Sequence, residues 1–433
     1  MVSRARGRVL GCDGMATSSR QKPPFLYVID DEFVPPDRGD EQQGPESAVP
    51  AGDPDEAVRL FHHYRRRMAQ IIGYEEDLPE PASEEDLAEL EERIGVMLPA
   101  DLRALYGIAD GDGDRVNPLF DRQEWLPVAE IDDLDDEWLE IAQEWRHEPW
   151  RRTVFDAQPP NAIRRSPLRP GWIRFAFDSG GNWLAVDMDP GPNGRPGQVI
   201  AVGVDYSQGP AYVADSVTTF LRRLVEALER GDYRHHDRSL WIEADLPDLP
   251  SEHSRYSDGR PSLARAMQAG PRVQEVRVVD VEDCAFLAVV PEVCSLALSS
   301  KGSPDLTPLG GLPVEYLELD VEWVDLTVLA RNRELRSLSV TCARPVELAP
   351  LRTVPNLWAL DIAAASVADI ATVTELKGLR YLEATQDQWR ELSELGDLPS
   401  LAVVGVHPHR PERDWPVSTA WVTTYGEPPA PTA

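Results

Sequence analysis

Asp110, Asp112 and Asp114 stand at alternate positions, the spacing with which a calcium-binding loop opens. Such a loop needs glycine at its sixth position and glutamate at its twelfth. Arg115 and Asp121 stand there instead, so a turn between a helix and a strand accounts better for the three acids. The histidines cluster as His62-His63, His235-His236 and His407-x-His409, each without a partner at metal-ligand spacing. Cys12, Cys284, Cys294 and Cys342 match no zinc pattern and form no CxxC. The last three fall among periodic apolar residues, where cysteine acts as a small buried hydrophobe. Neither GxSxG, HExxH, a P-loop nor a dinucleotide fingerprint occurs. The expectation is therefore no catalytic residue, no metal and no cofactor: a protein that binds rather than turns over.

The net charge narrows the classes of partner. The 433 residues carry a net charge of -32. Like charge repels nucleic acid and anionic membrane at a distance, so a protein partner with a basic surface fits better. The bland alternative is that the charge only keeps the chain in solution. Residues 74–144 hold 24 Asp and Glu against four Arg. That segment can be a solvated helix face or a docking surface for a basic toxin such as a nuclease. Arginine outnumbers lysine 40 to 3, which points to GC-rich coding and a high-GC bacterium. Val9-Leu10-Gly11-Cys12 imitates a lipoprotein box, but the apolar run before it is far shorter than the roughly seven residues a signal needs. No stretch reaches the ~18 apolar residues of a membrane span, and a cytoplasmic protein is expected. Met15 is a possible alternative start.

These residues need elements to hold them. Val58, Phe61, Tyr64, Met68 and Ile71 share one helix face, from a helix starting near Asp55. Ser83-Glu84-Glu85-Asp86 reads as a capping box for a second helix that Gly95 ends, and Pro99 opens a third. Strands are predicted at 124–128, 172–177, 182–189 and 198–205, then a helix from about Asp215 to a stop at Gly231. Helices, an antiparallel sheet and a closing helix make an α+β domain.

From residue 273 a period-2 strand core recurs. It reads Val276-Arg-Val278, Leu296-Ala-Leu298, Leu317-Glu-Leu319, Leu338-Ser-Val340, Leu360-Asp-Ile362, Leu382-Glu-Ala384 and Val404-Gly-Val406, at spacings of 20, 21, 21, 22, 22 and 22. A three-residue apolar ladder follows the strands: Leu306, Leu309 and Leu312; Ile370, Val373, Leu376 and Leu379; Leu392, Leu395, Leu398 and Leu401. One strand and one 3₁₀ or short helical turn per unit, stacked to bury a shared core, is the reading. The pattern resembles the leucine-rich-repeat family of 21–22-residue units, with Asp305-Leu306-Thr-Pro-Leu309 and Asp325-Leu326-Thr-Val-Leu329 as return segments. The family's buried asparagine is replaced by Lys301, Glu322, Ala343, Ala365 and Asp387. Residues flanking the inward pairs form a concave stripe: Tyr316, Glu318, Asp320, Ser337, Ser339, Thr341, Asp361, Tyr381, Glu383 and Thr385. Tyrosines, carboxylates and hydroxyls without cations suit a basic protein patch. An ordinary solvated face is the alternative.

The N-terminal half resembles the SUKH superfamily, which includes the cell-wall-assembly-regulator domain. Four blocks carry the resemblance: ASEEDLAELEERIGVMLPADLRALYGIADGDGD at 82–114, EWLPVAEI at 124–131, GGNWLAVDMDPGPNGRPGQVIAVG at 180–203 and VADSVTTFLRRLVEAL at 213–228. Trp125, Gly180, Gly181, Asp187, Asp189 and Gly197 fall at its signature positions, with Asp187 and Asp189 as candidates for partner contact. The resemblance implies a protein-binding α+β domain, commonly a bacterial immunity protein that neutralises a toxin stoichiometrically.

The expected fold class is thus an α+β N-terminal domain followed by a short leucine-rich-repeat solenoid. Residues 1–54 are expected to be mostly disordered, 55–233 the SUKH-like domain, 234–265 a linker or repeat cap, 266–412 about six repeats and 413–433 a tail. The expected function is toxin immunity by binding; the alternative is a regulatory adaptor with no toxin. Partner-binding residues are expected at Tyr316, Glu318, Asp320, Asp361, Tyr381, Glu383, Asp187 and Asp189.

Overall fold

The computed structural model describes residues 24–120, 122–131, 137, 154–206, 208–237, 239–244, 255–259, 261–330, 332–410, 422–426 and 428. The first element is a strand, β1 (Phe25–Val28), followed by a single helical turn, α1 (Arg38–Glu41). Of the stretch 1–54 expected to be mostly disordered, residues 1–23 lie outside the described residues; β1 escaped the sequence reading because four residues of FLYV are too short a pattern to stand out among prolines.

Helix α2 (Pro54–Ile72) begins where the Asp53 carboxylate accepts the Glu56 amide, and buries Phe61, Tyr64 and Met68. Helix α3 (Glu84–Ile94) opens on the Ser83–Asp86 capping box and stops at Gly95 with φ of 70°. Helix α4 (Ala100–Tyr106) follows Pro99. Strands β2 (Glu124–Trp125), β3 (Trp172–Phe177), β4 (Asn182–Asp187), β5 (Gln198–Gly203) and β6 (Ala211–Ala214) form an antiparallel sheet in that order. Helix α5 (Val217–Arg230) starts on a Ser216 cap and packs beside α2. Its core, with that of α2–α4, covers one face of the sheet around Trp125, whose ring centroid is 4.9 Å from Tyr106 and 5.7 Å from Phe120. The other face is covered by Ala157, Ala162, Ile163 and Leu168. Two covered faces explain why β3 and β5 read as continuous apolar runs rather than alternating ones.

The stretch expected to be a linker or repeat cap carries strands. Strands β7 (Tyr233–His236) and β8 (Ser239–Ile242) make a hairpin; Leu240 and Ile242 join the N-terminal core, while Trp241 is 54% exposed. Strand β9 (Arg255–Asp258) already belongs to the C-terminal sheet, and helix α6 (Leu263–Ala269) follows it.

The C-terminal region is a largely parallel sheet. Strands β10 (Glu275–Val278), β11 (Ser295–Ser299), β12 (Tyr316–Val321), β13 (Ser337–Val346), β14 (Ala359–Asp361), β16 (Tyr381–Thr385) and β17 (Val403–His407) lie side by side in chain order, with β15 (Ala365–Val367) beside β13. Val276, Leu296, Leu317, Leu338, Leu360, Leu382 and Val404 align across it, the register the spacing predicts. Short 3₁₀ turns return the chain at 285–289, 307–311, 326–329, 349–353 and 370–375. The last return differs. Helix α7 (Gln386–Leu395) opens on a Thr385–Gln388 capping box, and its 3.6-residue period turns Leu395 away from the ladder, leaving it 50% exposed. With no asparagine at the family's buried position, carbonyls of these turns find other donors. Ser300 Oγ donates to Val281 O, Gln388 Nε2 to Ile362 O and Ala365 O, and Arg410 to Cys342 O and Ala364 O.

The far edge is closed from both ends of the chain. β1 runs antiparallel to β17, and β18 (Val422–Tyr425), in the expected tail, runs parallel to β1. Among the described residues no helix is long and apolar enough to cross a membrane.

Candidate functional site on the sheet face

Alternation in a strand puts the residues between the inward leucines on the opposite face of the sheet. Two rows result. Tyr316, Ser337, Ala359, Tyr381 and Val403 form one, and Glu318, Ser339, Asp361, Glu383 and Gly405 the next. The expected stripe is therefore brought together, but much of it is not free for a partner.

The first row is covered by the chain itself. Tyr316, Ser337 and Tyr381 are buried, as are Leu26, Trp358 and Val403 around Tyr381. The cover is the β1–α1 segment together with residues 154–168. Arg165 makes a two-pronged ion pair with Glu315, at 2.6 and 3.2 Å, and Arg38 reaches Glu315 and Glu334. Glu41 pairs with Arg336, and Asp30 with Arg380. The Gln274 side-chain amide bonds the backbone of Asp156 in both directions. Tyr316 and Tyr381 as partner anchors are thereby corrected: burying them against this chain already removes their apolar surface from water. Their role was misread because a repeat period marks a face without marking what lies on it.

Sequence reasoning passed over the residues that form this contact. Gln274, Cys294, Glu315, Arg336, Trp358, Arg380 and Ala402 stand two positions before each inward residue, and each carbonyl or amide joins the next across the sheet. A signal was present: Glu315, Arg336 and Arg380 put charges at one fixed repeat position, and Asp30, Arg38 and Glu41 supply their opposites.

The second row holds a buried acid–base group. Glu383, 3% exposed, accepts the Tyr381 hydroxyl at 2.7 Å and meets His407 Nε2 at 2.7 Å. Asp361 accepts from Ser339 Oγ at 2.9 Å and from the Ala363 amide. Burial, then the neighbouring Glu383 charge, push the Asp361 carboxyl up to about 7. Burial disfavours the His407 cation, but the Glu383 bond and charge, with Asp361 behind them, hold its pKa above the ordinary value. Both shifts run the same way: Asp361 and His407 each keep the proton to a higher pH than usual. Glu383 is thus committed inside the fold, while Glu318, Asp320 and Asp361 remain partly exposed.

Asp187 and Asp189 are structural too. Asp187 is fully buried, accepts Gln198 Nε2 at 2.9 Å and the Asp189 amide, and burial pushes its pKa up to about 7. Asp189 pairs with Arg164 and Arg169, which in turn hold Gly39 O, Asp37 and Asp40. Asp112 accepts the Leu119 and Trp125 amides, so the three-acid turn organises backbone around Trp125.

The blocks quoted for the N-terminal domain now have a place in an α+β fold, and their family can be stated. Residues 81–223 match the SMI1 / KNR4 family (SUKH-1). This stretch is a SMI1/KNR4 domain. Similar proteins include the "Glucan synthesis regulatory protein" of Neurospora crassa, 31% identical over 187 residues, 36% of this chain and 35% of that protein. The "Cell wall biosynthesis/cell cycle regulator smi1" of Schizosaccharomyces pombe is 32% identical over 40% of this chain and 36% of its own length. The "Cell wall assembly regulator SMI1" of Saccharomyces cerevisiae is 23% identical over 36% of this chain and 37% of its own length. The match thus spans little more than a third of these relatives. They are fungal and named as regulators.

Proposed function

We propose that this chain is a non-catalytic regulatory adaptor that acts by holding other proteins, with residues 266–412 as a short leucine-rich-repeat solenoid. The observation that carries this is the SMI1/KNR4 domain and the regulatory names of its relatives. The aligned register of the repeats and the 3₁₀ returns support the solenoid reading. The non-catalytic part is supported by how the buried acids are used: Asp112, Asp187 and Glu383 each hold backbone or side-chain donors of the fold.

The partly exposed Glu318, Asp320 and Asp361 would face a basic protein surface, and this binding would weaken as salt screens it. Deleting the gene in its own host and measuring sensitivity to a wall-perturbing dye tests the regulatory role. Raised sensitivity, reversed by the wild-type gene, is expected. Unchanged wall behaviour, together with lost protection from a toxin encoded beside it, would replace this reading with immunity.

A further inference from the structure

A parallel sheet ends in an edge strand whose amides and carbonyls can accept one more strand. Here that edge is β17, and the strand it accepts comes from the opposite end of the chain. β1 pairs with it antiparallel, Phe25 opposite Val406 and Val28 opposite Val403, although the strands leading up to it are parallel.

The segment that carries β1 is seated like a bound peptide. Leu26 is buried against Trp358, Tyr381 and Val403. The Ile29 and Asp30 amides donate to Ala402 O. Asp30 pairs with Arg380. The Phe33 ring lies 6.0 Å from that of Trp358, with the Arg380 guanidinium 4.8 Å from its centroid. Glu41 reaches Arg336, which is buried. Each contact is between side chains or backbone groups far apart in sequence. None requires that residues 25–41 belong to the same chain. β18 adds to the outer side of β1 and so depends on it.

We infer that the β17 edge, with Arg336, Trp358 and Arg380, is a strand-accepting peptide site that residues 25–41 keep closed. Its partner is an extended segment of another protein with matching chemistry: two aliphatic residues at alternate positions, then a carboxylate, then an aromatic ring. The aliphatics take the places of Leu26 and Val28, the carboxylate pairs with Arg380, and the ring packs at a tilt against Trp358. The partner displaces β1, and β18 with it. This stands on the contacts themselves and not on the regulatory reading, which a negative result here would leave intact.

The test is a full chain with a protease site inserted between Gln43 and Gly44, both exposed. After cutting, the N-terminal piece is held by non-covalent contacts alone. A fluorescent peptide of residues 24–42 is expected to exchange into the cut chain saturably and to leave the uncut chain unlabelled. Arg380→Glu in the cut chain is expected to weaken that binding about tenfold or more, since it turns a charge-assisted contact into a repulsion. A cut chain that keeps its circular dichroism and takes up no peptide overturns the proposal, as does equal labelling of cut and uncut chains. Dimers of the uncut chain that exchange this segment would assign the site to a second copy and overturn the choice of partner. If cutting unfolds the protein, hydrogen exchange in the uncut Arg380→Glu chain decides. Amides of 403–406 are expected to exchange about tenfold faster as β1 loosens. Unchanged protection there overturns the proposal.

Discussion

The five-stranded antiparallel sheet is covered on both faces, by helices on one and by residues 157–168 on the other. The long C-terminal sheet buries one face in its own repeating core and has the other partly covered by distant segments. In the first, each strand's neighbours come from helices and loops of unlike sequence. In the second, each strand's neighbours are copies of itself one unit away. The difference teaches where local pattern suffices: stacking like on like fixes an inward face, and leaves the outward face to whatever the rest of the chain brings to it.

The strongest way to break this comparison is to damage one core and watch the other. Leu338→Asp puts a lone carboxylate at a fully buried position and should cost about 4 kcal/mol or more. Hydrogen exchange is expected to show lost protection in β11–β14 with β3–β5 still protected. Equal loss in both would mean the two sheets unfold as one unit. Trp125→Ala removes the centre of the N-terminal aromatic cluster and should cost about 3–5 kcal/mol, with the opposite pattern of protection.

The contact between the two regions is next. Arg165→Met leaves Glu315 without its two-pronged partner in a site where it is 1% exposed, and should destabilise by about 3 kcal/mol in chemical unfolding. Adding Glu315→Leu should recover most of that loss. A double variant no better than the single would show that the pair fixes geometry beyond its charge.

A pH series sharpens the comparison further. Asp187 is raised to about 7 when folded and has its ordinary value of 3.8 when unfolded. A raised folded pKa means its stabilising effect is complete below 3.8 and is lost as pH climbs through 7. The slope from this group is about 1.4 kcal/mol per pH unit inside that window. Asp187→Asn should flatten that fall in the melting temperature between pH 5 and pH 7, a difference absent if the carboxyl is ionised throughout. Ser300→Ala, which removes the hydroxyl bonded to Val281 O, should cost only about 1 kcal/mol and act within the C-terminal sheet.

Much of the architecture was legible because it rests on local physics. Ser83, Pro99, Gly95 and Gly231 mark helix ends through hydrogen-bonding and dihedral needs confined to a few residues. The repeat register was legible because a period-2 core recurring at 20–22 residues has one way to align its leucines. Leu395 shows the limit: in the helix that the Thr385 capping box opens, a three-residue step from Leu392 turns it off the ladder and leaves it exposed.

Sequence alone placed α2–α5, β2–β5 and the register of the repeat strands, since each follows from spacing within one element or one unit. Tertiary structure decided that residues 25–41 lie on the far sheet, that Arg165 and Arg336 meet acids across the chain, and that Tyr381 and Asp187 are buried. The physical reason is distance along the chain. Charge and apolar surface name what a residue needs, but several distant residues could meet that need, and only the packed chain selects among them.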